Sequence, residues 1–212
     1  MKKSILALGA LTLAAGLVAC GGGTSSYMIG GTVVGLQYPG LVLSNNLSDD
    51  LAIAPLGLET TGAVKNVPYQ FSKRLDYGDP YSVTIKTQPA HQLCQTASGT
   101  ADTAGRLSVI EAVISCALVA NTIGGTIEGL AADGLILTNG STGGTLTVTK
   151  DTTSGAYPTT FTFATPVVYG QTYGVTVLAH PANQTCTVVN GANTMGDAAV
   201  ATIQVKCTTN PA

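Results

Sequence analysis

The stretch IGGTIEGLAADGLILTN, Ile123 to Asn139, is present once already upstream, where Ile29 to Asn45 read IGGTVVGLQYPGLVLSN. The two copies lie 94 residues apart. The match continues beyond them: Phe71 answers Phe163, Tyr77-Gly78 answers Tyr169-Gly170, and Tyr81-x-Val83-Thr84 answers Tyr173-x-Val175-Thr176. Pro89, Gln92 and Cys94 return as Pro181, Gln184 and Cys186, at an offset of 92, and Cys116 returns as Cys207, at 91. Surface loops tolerate small length changes, which accounts for the drift. A duplication of this length marks two modules, 28–116 and 122–207, joined by a linker at 117–121 and followed by a tail at 208–212. So short a linker predicts modules that touch end to end.

Within each copy, apolar and polar residues alternate over short runs bounded by turn formers. In the second copy the runs 126–130, 134–138, 145–149, 160–164, 173–178, 184–189 and 201–207 read as strands. Asp133-Gly134, Asn139-Gly140, Ser154-Gly155 and Asn190-Gly191 supply turns between them. The segment Leu107–Leu118 could carry a helical stripe, but its counterpart is a clear strand, so it reads as strand. Seven short strands in about ninety residues predict an all-β chain of two tandem immunoglobulin-like β-sandwiches. Tyr81 and Tyr173 look like the tyrosine of a Gly-x-x-Tyr-x-Val turn into a strand, its ring buried and its hydroxyl closing a loop.

The chain has 5 cysteines. Four of them, Cys94, Cys116, Cys186 and Cys207, fall two to a module at equivalent places. Three pairings are open to four cysteines. Equivalent placement, one in the penultimate strand and one in the last, favours Cys94–Cys116 and Cys186–Cys207. Zinc ligands usually come at tight C-x₂₋₄-C spacing, which these cysteines lack, so no metal is expected.

The fifth, Cys20, follows Met1-Lys2-Lys3-Ser4 and an uncharged apolar run from Ile5 to Ala19. A basic head, an apolar run of this length and a small residue at the break make an export signal, 1–19. Leu17-Val18-Ala19-Cys20 resembles the lipobox of bacterial lipoproteins. The resemblance implies that Cys20 takes a diacylglyceryl group and becomes the first mature residue. Two or three acyl chains, at about 0.8 kcal/mol per buried methylene, make a durable anchor. Residues 20–27, rich in glycine and serine, then form a tether. Position 21 lacks the aspartate that resembles an inner-membrane retention signal. The outer membrane is therefore the expected location, on its periplasmic face or at the cell surface.

Nothing in the sequence assembles a catalytic site. The net charge is −2 and charged residues are 9% of the chain, so there is no basic footprint for nucleic acid. The 2 histidines, His91 and His180, are not repeated, aligning with Asn183 and Gln88, and read as surface loop residues. Asp49-Asp50 after Asn45-Asn46 could suggest calcium, but the second copy has no carboxylate there, and these residues suit a turn. The glycine pairs lack the strand–loop–helix setting of a phosphate cradle. No cofactor is expected.

Gly-Gly-Thr-x-x-Gly-Leu-x-x-x-Gly-Leu-x-Leu-x-Asn followed by Tyr-x-Val-Thr-x-x-x-x-Pro-x-x-Gln-x-Cys resembles a repeat of exported Gram-negative proteins, often tandem and often behind a lipobox. The resemblance covers nearly all of 28–207 and implies neither catalytic residues nor a ligand. The expectation is a non-enzymatic, lipid-anchored envelope protein acting as a structural or interaction module. A surface module that binds glycan or protein is the alternative, and a small periplasmic hydrolase is a third reading.

Overall fold

In a computed structural model of the chain, residues 25–106, 110–140 and 143–211 are described. Cys20 and the expected export signal, 1–19, lie outside them. The first half contributes β1 (Ser26–Val34), β2 (Leu41–Asn45), β3 (Asp49–Ile53), β4 (Val67–Asp76), β5 (Pro80–Thr87), β6 (Gln92–Ser98), β7 (Ala101–Thr103) and β8 (Glu111–Leu118). After β9 (Ala120–Asn121), the second half contributes β10 (Ile123–Glu128), β11 (Ile136–Asn139), β12 (Thr145–Thr147) and β13 (Thr160–Thr162). It continues with β14 (Val167–Val168), β15 (Thr172–Ala179), β16 (Gln184–Val189), β17 (Ala192–Thr194) and β18 (Val200–Thr209).

The chain is all-β and sandwich-like. In the first half a sheet ordered β4-β1-β8-β6 faces one ordered β3-β2-β5-β7; in the second half β13-β10-β18-β16 faces β12-β11-β15-β17. The short edge strands β7 and β17 add an eighth member to the seven expected. In both halves the first long strand runs parallel to the last, β1 beside β8 and β10 beside β18, and antiparallel to β4 or β13 on its other side.

Alternation makes the core. Ala112, Ile114 and Cys116 on β8, and Ile203, Val205 and Cys207 on β18, point inward while their neighbours face out. The buried side chains form two clusters. One contains Ile29, Leu36, Leu43, Phe71 and Ile114, and the other their counterparts Ile123, Leu130, Leu137, Phe163 and Val205, with Leu130 partly buried at the edge. Disulfides Cys94–Cys116 and Cys186–Cys207 join residues that are direct register partners on adjacent strands of one sheet, β6 with β8 and β16 with β18. Tyr81 is buried, and its hydroxyl donates to the Gly99 carbonyl at 3.2 Å. Tyr173 is buried at the matching place.

The bounds of the tether, the linker and the second module differ from the sequence reading, as do several strand ends by a few residues. β1 already begins at Ser26, because Ser26 and Tyr27 pair with Asp76 and Leu75, so the last two tether residues belong to a sheet. β18 runs on to Thr209, because Gln184 pairs with it there. Most of the linker is also structured, with β8 reaching Leu118 and β9 pairing with β14.

The β2–β3 hairpin stores a strain that can be relieved. Asn46 and Leu47, the two residues between Asn45 and Ser48, both have positive φ, 50° and 57°. Such a two-residue turn favours Asn-Gly, and a leucine there costs about 1–2 kcal/mol. The Leu47 side chain is 85% exposed, so its removal forfeits no packing. Leu47→Gly is expected to raise stability by about 0.5–1 kcal/mol after glycine's greater unfolded-state entropy is deducted. Urea unfolding of the two proteins checks this, and a less stable variant would contradict it.

Candidate functional site

The repeated asparagine and glutamine are consumed by the fold. Asn45 and Asn139 are buried, and their Oδ1 atoms accept the N–H groups of Ser82 and Gly174, fastening β2 to β5 and β11 to β15. Gln92 and Gln184 each hold the loop after the first strand. Gln92 Oε1 accepts from the N–H groups of Gln37 and Tyr38, and its Nε2 donates to the Gly35 carbonyl. Gln184 does the same for Ala131, Ala132 and Gly129.

His180, expected on the surface, also does fold work. Its Nδ1 accepts the Cys186 N–H at 3.1 Å, where Gln88 Oε1 accepts the Cys94 N–H at 2.7 Å in the first half. Asp49 and Asp50 sit on strand β3, on opposite faces, rather than in a turn. Asp49 Oδ2 accepts the Lys73 N–H, while Asp50 pairs with Lys86, whose hydrogen bond holds its carboxyl below the usual range. Each carboxylate thus has a partner of its own, and no group of three metal-ligating side chains gathers among the described residues. Burial pushes the Tyr69 phenol well up; its hydroxyl donates to the Ala112 carbonyl at 2.7 Å and braces β8.

His91 sits in a turn with its side chain 30% exposed, and it makes a contact that the sequence reading did not anticipate. Its backbone is left-handed, φ 59°, as is that of its counterpart Asn183, φ 55°. Asparagine tolerates that conformation better than most residues. At His91 the ring reaches across to the second half. It stacks on Tyr169 with centroids 3.9 Å apart and planes within 10°, while Tyr38 meets it edge-on at 4.9 Å. Nδ1 lies 2.8 Å from Oδ2 of Asp197 and 3.0 Å from Oδ1. Around this cluster, Tyr169 N–H donates to the Val119 carbonyl, Val119 N–H donates to the His91 carbonyl, and the Asn121 amide donates to the Gly196 carbonyl. The two halves are joined by this aromatic and hydrogen-bonded clasp as well as by the covalent link.

An aspartate on a histidine is also two thirds of a hydrolytic triad. A cleft of about 440 Å³ beside the clasp is lined by Ser115, Asn121 and Asp197 among others. No serine, threonine or cysteine, however, is hydrogen-bonded to either ring nitrogen of His91 among the described residues. One face of the ring is covered by Tyr169. What the arrangement does hold together is the joint between the halves. The signal for it was in the sequence as a departure from the repeat: Tyr38 and His91 stand where the second copy has Ala132 and Asn183.

His91→Asn tests the clasp cleanly, since it restores the residue the second half uses at the same φ. Unfolding of each half should change by less than about 0.5 kcal/mol, as for ordinary surface changes. The two halves should instead tumble more independently, read as diverging rotational correlation times in ¹⁵N relaxation. Unchanged common tumbling would refute the clasp.

Set against known proteins, the chain matches no family model and no curated sequence.

Proposed function

We propose that this chain is a non-enzymatic, lipid-anchored protein of the Gram-negative outer membrane whose two β-sandwiches act as a stiff spacer or interaction module. The observation that carries the reading is the clasp. Relative motion is the default between linked domains, and here four side chains, Tyr38, His91, Tyr169 and Asp197, oppose it. A joint of that kind suits a protein that holds something at a set distance from a surface. The surface comes from the sequence: Leu17-Val18-Ala19-Cys20 resembles a lipobox, and the first strand begins only six residues after Cys20. The repeated asparagines and glutamines support the same view, since they fasten strands and loops of each sandwich.

Cys20→Ser, expressed in a Gram-negative host fed labelled palmitate, should incorporate no label and should leave the membrane fraction. Label retained in the variant would overturn the anchor.

A further inference from the structure

The repeat shows what the near end of a unit does. In the second half that end consists of the entering strand β9, its partner β14, Tyr169 and Asp197, and the first half covers it. The same end of the first half can be located residue by residue. Ser26 and Tyr27 pair with Asp76 and Leu75 as Ala120 and Asn121 pair with Val168 and Val167. Gly78 N–H donates to Ala104 O as Gly170 N–H donates to Met195 O. Tyr77 therefore stands where Tyr169 stands, and Arg106 stands where Asp197 stands.

Among the described residues nothing covers this end. Tyr77 is 71% exposed, yet its ring lies close against Gly105, where an added Cβ would fall 2.4 Å from Cδ2. Tyr27 is beside it, with centroids 6.4 Å apart, and Met28 is partly exposed next along β1. Arg74 caps the group through Nη1 to the Ser26 carbonyl at 3.3 Å. Of the acids nearby, Asp102 pairs with Arg106 at 2.9 Å and Asp79 accepts the Asp76 N–H, while the Asp76 carboxylate, across from Ser26, accepts no hydrogen bond among the described residues.

We infer that this end of the first unit seats in the phospholipid headgroup layer, with Tyr27 and Tyr77 at the interface and Arg74 and Arg106 toward the phosphates. The inference rests on the reading that Cys20 carries the acyl chains. Six residues from Cys20 to Ser26 reach at most about 20 Å when fully extended, so the bilayer is the surface this end meets. Tyrosine's apolar ring and polar tip suit the membrane–water boundary, and arginine suits phosphate. Where the unit-to-unit contact needs Asp197 for His91, the membrane contact has the opposite charge, Arg106.

The test uses the full mature chain, 20–212, oxidised and coupled through Cys20 to a maleimide lipid. It sits in nanodiscs of phosphatidylcholine and phosphatidylglycerol with a gadolinium chelate on some headgroups. Fluorotyrosine replaces tyrosine, and Tyr→Phe variants assign the signals. Relaxation enhancement at Tyr27 and Tyr77 should exceed that at Tyr157, in the second unit, by at least about fivefold. Equal enhancement at Tyr77 and Tyr157 would overturn the inference. In the double variant Tyr77→Ser, Arg106→Ser, enhancement at Tyr27 should fall by about half or more. An unchanged value would mean that the tether alone sets the distance, which also overturns the seating. Because the lipid is supplied chemically, this result stands apart from the palmitate experiment on natural acylation.

Discussion

Gly125→Ala is expected to leave the second unit unfolded while the first survives. A Cβ at Gly125 would sit 1.7 Å from the Ile203 carbonyl oxygen and 2.5 Å from its carbon, both backbone atoms of the parallel neighbour β18. No side-chain rotation relieves that contact; β10 would have to withdraw from β18. The withdrawal breaks the pairing of Thr126 with Gln204 and Ile127 with Val205, and it opens the core beneath Ile127. A clash of this kind belongs with changes costing more than about 4 kcal/mol, most of what a small domain has. Gly31, whose added Cβ would meet the Ala112 carbonyl at 1.9 Å, predicts the same for the first unit. Gly174, on β15 with open space around it and no positive φ, is the control, and alanine there should be neutral or slightly stabilising. Loss of the second-unit amide resonances in Gly125→Ala, with those of the first retained, is the expected spectrum. A natively dispersed spectrum of both units would refute the argument.

The Gly-Gly pair that opens each copy thus has one physical meaning. The first glycine abuts the antiparallel neighbour, where a Cβ at Gly124 would meet the Phe161 carbonyl at 2.2 Å, and the second abuts the parallel one. A strand held so closely on both sides allows no side chain at those two points. That meaning was hidden from the sequence, in which the pair could be seen only to repeat. The sandwich architecture was legible because alternation and cysteine placement repeat too, and each copy checks the other. The edge strands β7 and β17 were not, since three residues are too few to show a period of two. The two-residue β9 pairs with a strand far along the chain, and no local pattern announces it.

The clasp was missed for a different reason. A joint between successive copies uses the far end of one and the near end of the next, so the full set of its residues does not recur; only Tyr169 has its like in the first copy, Tyr77. Tyr38 and His91 differ from Ala132 and Asn183, and Asp197 differs from Arg106, because each position meets a different neighbour. In this chain the repeated asparagine, glutamine and glycine pairs specify the fold, and Tyr38, His91 and Asp197, which differ between the copies, specialise the contact.

Gln184→Leu should be the most damaging side-chain substitution outside the apolar core. The side chain is 4% exposed, and leucine has about the right volume for the site, so packing is largely preserved. What is lost is polar. Gln184 Oε1 accepts the N–H groups of Ala131 at 2.8 Å and Ala132 at 3.1 Å, and Nε2 donates to the Gly129 carbonyl at 2.7 Å. The leucine variant orphans all three backbone groups at a part-buried site. Each such loss costs about 1–3 kcal/mol, so the three together amount to roughly 3–9 kcal/mol, reduced to the extent that the loop lifts off and takes water. The loop links β10 to β11 and so joins the two sheets of the sandwich; lifting it also uncovers Leu135, which is fully buried. Urea unfolding should show the second transition shifted by at least about 3 kcal/mol. Amide exchange at Ala131 and Ala132 should speed up first and most, well before global unfolding is reached. A shift below about 1 kcal/mol would mean that water already serves these groups, and the glutamine of the repeat would then need another explanation.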